Sequence, residues 1–237
     1  MSQDGSIVFI IDDDEQVRDS FANLCRSVDL NVRTYASIEE FTLAERPPVP
    51  SCMVLDVRFP ASAPSGLDFQ RGLDASNSPP IIFVTGHGDI QMSVQAMKLG
   101  ALEFLTKPVR EQELLDAIRR GIEWDRRRLH EANRLTALRK RYDGLTERER
   151  EIMMLVTQGN LNKQIAAAIG RSEVTVKAHR GRIMHKMGAH SLADLVRMSD
   201  QLGEIRTRPA PPEVNDKPHS RASRAPRARD ANGSRPS

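Results

Sequence analysis

The chain has 237 residues, two cysteines and a formal net charge of +3, a length that suits two small domains or one domain with long extensions. The near-neutral total hides a reversal of sign. Residues 1–123 carry 11 Lys+Arg against 19 Asp+Glu, a net of −8, whereas the remainder carries 24 against 13, a net of +11. Two modules with different partners are expected, the basic one meeting a polyanion. Cys25 and Cys52 lie in apolar runs with no Cys or His at metal-ligand spacing, and they read as buried thiols in a reducing cytoplasm. No stretch of about 18 apolar residues occurs, and the N-terminus lacks a basic segment followed by an apolar one. A soluble, cytoplasmic protein with no membrane partner is expected.

In chain order, residues 6–11 form an apolar run that leads into Asp12-Asp13-Asp14-Glu15. Residues 15–28 place Val17, Phe21, Leu24, Cys25 and Val28 at helical spacing. Residues 31–35 predict a short second strand. Ser37 with Glu40 three residues on predicts a capped helix, ended by Pro47-Pro48-Val49-Pro50. The run Cys52-Met53-Val54-Leu55 predicts a strand buried on both faces that ends at Asp56. After a loop containing Pro60 and Pro64, a third helix is expected over 66–75. A fourth strand over 80–84 ends at Thr85-Gly86-His87-Gly88, a fourth helix spans 89–99 with Gly100 as its stop, and a fifth strand over 101–105 ends at Thr106-Lys107-Pro108. Five strands alternating with five helices predict a doubly wound α/β domain with a five-stranded parallel sheet.

The fifth helix, beginning near residue 111, has no clear stop. Leu114, Ile118, Ile122, Leu129, Leu135, Leu138 and Tyr142 keep a mostly three-four spacing between basic runs. A solvated linker helix and a short coiled coil between two copies both fit. The linker is favoured because the stripe skips a turn between Ile122 and Leu129. Beyond it, Thr146 and Glu149 form a capping box, residues 162–169 form a two-turn helix, and Gly170-Arg171 makes a turn. Ser172 then caps a third helix to about residue 187, and Ser191 with Asp194 caps a fourth. Short helices around a glycine turn predict an all-α, four-helix helix-turn-helix domain. From residue 204 on, the chain has eight basic and four acidic residues, six of the fourteen prolines and almost no large apolar side chain. That tail, 204–237, is expected to be disordered.

Chemistry concentrates at the strand ends. In a parallel sheet, ligands bind beyond the carboxyl ends of the strands. Asp12, Asp13, Asp56, Thr85 and Lys107 would then share one rim. Three carboxylates at one rim call for a cation, and carboxylates with water suit Mg²⁺. With that charge neutralised, Asp56 has the makings of a nucleophile toward a phosphoryl group, Lys107 and Thr85 holding its oxygens. Each residue alone reads as a strand end, a cap or a surface lysine; the set of four strand ends does not. Lys107-Pro108 adds a candidate cis peptide.

The acidic pair after the first strand, Leu-Asp-Val-Arg-Phe-Pro at 55–60, Val-Thr-Gly-His-Gly-Asp at 84–89 and Phe-Leu-Thr-Lys-Pro at 104–108 together resemble the receiver domain of two-component response regulators. Leu145-Thr-Glu-Arg-Glu, Asn162-Lys-Gln-Ile-Ala and Val174-Thr-Val-Lys-Ala-His-Arg resemble the LuxR-type output domain. The combination, covering about residues 6–203, resembles the FixJ/NarL-type regulators, especially their FixJ-like branch. The resemblance implies a flavodoxin-like receiver over 5–123, a linker helix over 124–142 and a LuxR-type domain over 143–203. It implies Asp56 as phosphoacceptor, Asp12 and Asp13 as the magnesium pair, and the backbone carbonyl of Arg58 as a further metal contact. Thr85 and Phe104 match the switch pair, and Lys107 the lysine of the site. The loop over 60–66 is two residues longer than usual for the family.

The helix over 173–187 is expected in the major groove, with Thr175, Lys177, Ala178, Arg180 and Arg182 as its DNA contacts and Lys163 meeting the backbone. Gly181 stands where related proteins often carry a longer polar residue. His179, His185 and His190 lack a zinc spacing. The function implied is a phosphorylation-dependent transcriptional regulator. A histidine kinase would supply the phosphoryl group, a homodimer would bind promoter half-sites, and RNA polymerase would be a further partner. An aspartyl-phosphate phosphatase would want an acid two residues after its nucleophile, where this chain has Arg58. A receiver that never takes phosphate conflicts with the complete rim.

Overall fold

The computed structural model describes residues 5–59, 65–74, 78–86 and 90–207. Its elements run β1 (Ile7–Ile11), α1 (Glu15–Arg26), β2 (Asn31–Tyr35), α2 (Ile38–Leu43), β3 (Ser51–Asp56), α3 (Gly66–Gly72), β4 (Ile81–Thr85), α4 (Ile90–Lys98), β5 (Glu103–Thr106) and α5 (Glu111–Asp143). Four further helices follow: α6 (Glu147–Thr157), α7 (Asn162–Ile169), α8 (Glu173–Met187) and α9 (Leu192–Thr207). The strands form one parallel sheet in the order β2-β1-β3-β4-β5.

The near-continuous apolar strands are explained by cover on both sides. Phe9, Ile11, Met53, Leu55 and Phe83 face one core, closed by Ile38, Phe41, Leu67 and Ala96 from α2, α3 and α4. The alternate residues Val8, Ile10, Cys52, Val54 and Ile82 face a second, closed by Ala22 and Cys25 of α1 and Leu114 and Ile118 of α5. Both cysteines are free and buried. Burial pushes the Cys25 thiol up to about 11 and that of Cys52 higher still, so both are inert at neutral pH.

Capping works largely as the residue types dictate, with local differences. Asp14, one of the acidic run, is the N-cap of α1 and accepts from the Gln16 N–H at 2.9 Å. Ser37 caps α2, but the Glu40 carboxylate accepts from the Ala36 N–H (2.7 Å), one residue beyond the expected partner. That helix ends at Leu43, before the prolines are reached, and α3 ends at Gly72. The expected last residue of α3 (75), the expected first residue of α4 (89) and the long loop at 60–64 lie outside the described residues. The Lys107–Pro108 peptide is cis.

α5 is a single helix of 33 residues. Its first half is receiver core. Its last turns belong to a third core, where Leu138 is buried and Tyr142 packs beside Leu145, Ile152, Ile165, Val176, Ile183 and Leu195. These two residues are therefore withdrawn from any stripe facing a second chain, and residues 130–134 between the cores are exposed.

The third core is framed by the capping box of Thr146 and Glu149. Left-handed glycines at Gly170 and Gly188 end α7 and α8, a conformation glycine adopts without strain. α9 continues to Thr207, four residues into the stretch expected to be disordered; the rest of that tail, 208–237, lies outside the described residues.

Candidate functional site

The strand order reverses direction between β1 and β3, and such a switch point opens a crevice beyond the carboxyl ends of the two strands. Asp12 leaves β1 and Asp56 ends β3, adjacent in register because Ile11 pairs with Leu55. One carboxylate oxygen from each of Asp12, Asp13 and Asp56 lies within 4.8 Å of the others. Lys107, leaving β5, bridges two of them, with Nζ 2.6 Å from Asp12 and 3.1 Å from Asp56. Its backbone N–H donates to the Thr85 carbonyl (2.8 Å), tying the ends of β4 and β5 together. Thr85 is buried at the next strand end, one residue past the Asp56–Val84 pair. Phe104 stands apart from the rim, half-buried against the sheet with its ring 6.3 Å from that of Phe83.

Backbone contacts hold the acidic groups in place. The Arg58 N–H donates to Asp56 Oδ1 (3.2 Å), and the Asp14 N–H to Asp12 Oδ1 (3.0 Å). Arg18 donates to the carbonyls of Asp12 and Asp13 at 2.7 and 3.0 Å. Gly66 opens α3 against the backbone of the β3 end, where a Cβ would fall 2.4 Å from the Asp56 carbonyl oxygen. No side chain fits there.

Three carboxylates and one ammonium leave the rim with an excess of negative charge. Burial pushes the Asp12 carboxyl up despite its bond to Lys107. Burial works against the Lys107 charge, but its bonds to Asp12 and Asp56 outweigh that and hold it above the ordinary lysine value. Hard oxygen donors with surplus negative charge fit a small divalent cation that retains water, so the acidic cluster is chemically suited to Mg²⁺. Among the described residues it is the one cluster of this kind, and the histidines at 179, 185 and 190 form no other.

In the helical half, α7, the Gly170 turn and α8 form the helix-turn-helix. Lys163, Lys177, Ala178 and Arg182 are exposed on it, and Gly181 faces open space. Thr175 and Arg180, both half-buried, also make contacts inside the unit. The Thr175 hydroxyl is hydrogen-bonded to the N-cap hydroxyl of Ser172 (2.9 Å), and the Arg180 guanidinium donates to Asn162 Oδ1 (2.8 Å), bracing α8 against the start of α7. Asn162, Lys163, Glu173, Lys177 and Arg180 line a shallow concavity between the two helices. Arg148 fixes the turn from outside, donating to the Ile169 carbonyl at the end of α7 (2.5 Å).

Arg18, Asp125 and Val174 were not singled out in the sequence. Asp125 sits where the receiver-facing stripe Ile118–Ile122 would continue one turn further, so an acidic residue in an apolar position was its signal. Val174 is 80% exposed on the first turn of α8, an apolar residue at the leading end of a recognition helix. Arg18 left no pattern in the sequence, since its partners are main-chain carbonyls.

A carboxylate rim at the switch point of this sheet, joined by one helix to a helix-turn-helix, defines the class of receiver-gated DNA-binding regulators. The response regulator receiver domain family matches residues 8–119, and the family described as bacterial regulatory proteins, luxR family, matches residues 143–199. Nodulation protein W of Bradyrhizobium diazoefficiens is 50% identical over 199 residues, 84% of this chain and 87% of that one. The transcriptional regulatory protein FixJ of Azorhizobium caulinodans is 38% identical over 193 residues, 81% and 90% of the two chains. The solved structure of the response regulator StyR, 43% identical, superposes with a TM-score of 0.74 over 83% of this chain and 98% of that one. The chain belongs to the FixJ-type response regulators, phosphorylation-activated, DNA-binding transcriptional regulators of two-component systems. No helix among the described residues is long and apolar enough to cross a membrane.

Proposed function

We propose that Asp56 is the residue through which this regulator is switched. The observation that carries the reading is Lys107 Nζ lying between Asp12 and Asp56, at 2.6 and 3.1 Å, beside the third carboxylate of Asp13. A carboxylate oxygen of Asp56 attacks the phosphorus of a phosphohistidine on a cognate histidine kinase. The P–N bond breaks as the acyl phosphate forms, and the imidazole leaves with its electron pair. Asp12, Asp13, Asp56 and the backbone carbonyl of Arg58 would hold Mg²⁺, which neutralises charge on the transferring group. Lys107 exchanges a carboxylate oxygen for a phosphoryl oxygen, and the Thr85 hydroxyl donates to another. Phe104 then repacks against the β4–β5 edge. A shift from mostly inactive to mostly active needs about 5 kcal/mol of differential stabilisation, a scale that ionic contacts to a phosphoryl dianion in a partly buried site can supply.

The activated receivers, residues 5–123, pair as a homodimer, and the output units, 143–203, meet promoter half-sites in the cytoplasm. α8 enters the major groove, with Lys177, Ala178 and Arg182 toward bases and phosphates and Lys163 at the backbone. Thr175 and Arg180 shape that surface from their braced positions. RNA polymerase is a further partner, and the receiver itself gains and loses the phosphoryl group.

The test is genome-wide footprinting with and without acetyl phosphate, alongside Asp56→Asn. Phosphodonor-dependent footprints and mass labelling, both lost in the variant, are expected. Undiminished labelling of Asp56→Asn would move the acceptor elsewhere.

A further inference from the structure

α5 is fastened at two places. Near its middle, the Asp125 carboxylate is buried, 1% exposed, and accepts from the Ser51 N–H at 2.8 Å and the Ser51 hydroxyl at 3.2 Å, at the start of β3. Its other oxygen accepts from Arg128 Nε at 2.7 Å. One turn earlier the helix approaches β3 so closely that a Cβ on Gly121 would lie 2.5 Å from Cys52 Sγ. At the far end Leu138 enters the output core, Arg134 donates to Gln201 Oε1 (3.0 Å), and Arg141 donates to the Met187 carbonyl at the end of α8 (3.2 Å). The recognition helix is thus held directly by the last turns of α5.

Asp125 and Arg141 are 16 residues apart, about 24 Å along the helix and about 160° around it. The receiver and the output unit are therefore gripped from nearly opposite sides of one rod. A tilt of roughly 10° at Asp125 would displace the far end by roughly 4 Å, more than one base-pair step. A buried carboxylate is a costly way to satisfy one strand-end N–H, and such groups are best known for fixing register. Asp125 also lies beyond residue 119, where the match to the receiver family ends.

We propose that the Asp125–Ser51 anchor determines which spacing of paired DNA half-sites the regulator accepts, by fixing the direction in which α5 leaves the sheet. The inference rests on the homodimer reading above. In a dimer of receivers, two such rods set the distance and rotational phase between two output units. A rod free to swivel would reach several spacings.

The experiment uses the full chain treated with acetyl phosphate. A half-site is first selected from a random duplex pool with the unaltered protein. Two copies are then placed at separations increasing one base pair at a time through a helical turn. The unaltered chain should bind best at one separation and about 100-fold more weakly half a turn away, where the second contact is lost. Asp125→Asn should flatten that profile to less than about 10-fold, with labelling at Asp56 and single half-site affinity unchanged. Ser51→Ala, which keeps the carboxylate and its backbone bond, should flatten it partly and carries the test should Asp125→Asn melt early. Profiles as sharp as the parent's in both variants would overturn the anchor alone. A flat profile in the unaltered chain would overturn the anchor and the homodimer reading together.

Discussion

The receiver rim and the helix-turn-helix face both carry charge, in opposite ways. At the rim, Asp12 and Asp56 are buried, and Lys107 is held between them. On the α7–α8 face, Lys163, Lys177 and Arg182 stand in solvent. Buried charges interact strongly and depend steeply on position, so a few of them suffice for a switch. Exposed ones are individually weak and screened by salt, so affinity there comes from number and shape. Between them, Glu149 behaves like a rim residue inside the output half: buried, it accepts from Lys186 (2.6 Å) and from the Thr146 N–H (2.9 Å).

The contrast is broken most severely at Lys107. Lys107→Ala leaves two close, buried carboxylates unpaired and should lower stability by on the order of 3 kcal/mol in urea titrations without divalent ions. Added Mg²⁺ should restore part of it; a loss unaffected by Mg²⁺ would mean the acidic cluster holds no cation. Gly66→Ala drives a Cβ into the Asp56 carbonyl and should cost about 2 kcal/mol by overpacking. Slower acetyl-phosphate labelling should accompany that loss, because the end of β3 must move.

Glu149→Gln tests the buried charge of the output half, at about 1.5 kcal/mol. The hydrogen bond from Lys186 holds the Glu149 carboxyl below the ordinary glutamate value of 4.5. Its contribution to stability is therefore complete above that pH and is lost as pH falls through the depressed value. The variant should show a flatter loss of melting temperature below about pH 4.5; parallel acid profiles would remove Glu149 from this role. The smallest effect is at Lys177→Ala, where DNA affinity should weaken by about 1 kcal/mol at low salt and the salt slope flatten by about one unit. An unchanged slope would take Lys177 off the phosphates.

The receiver was legible because β1, β3 and β4 are short apolar runs ended by turn chemistry, and four of the five strands lead into a reactive side chain, whereas β2 is mostly polar and exposed. The alternation with helices implies a parallel sheet, whereas the order β2-β1-β3-β4-β5, and with it the meeting of residues 12, 56 and 107, is a property of the fold that alternation alone leaves open. The linker was harder to read for a physical reason. Its stripe skips a turn between Ile122 and Leu129 because the buried Asp125 takes that position, and further on α5 changes the face it buries, from Leu114 and Ile118 toward the sheet to Leu138 and Tyr142 toward the output core. A helix serving two cores on opposite sides has no single stripe. Arg180 illustrates the other limit. Basic residues on a recognition helix look alike in sequence, yet this one also donates to Asn162, a bond between two helices that spacing alone does not reveal.

The fusion of the last turns of α5 with the output core has a consequence for building chimaeras. An output unit cut free at residue 143, where its family match begins, would lose Leu138 and the Arg141 grip on the end of α8. A transplant onto another receiver should be joined within residues 130–133, the exposed crossing between the two cores. Even there, adding or removing a single residue would turn everything downstream by about 100°, so exchange of receivers among such proteins should favour helix lengths differing by whole turns.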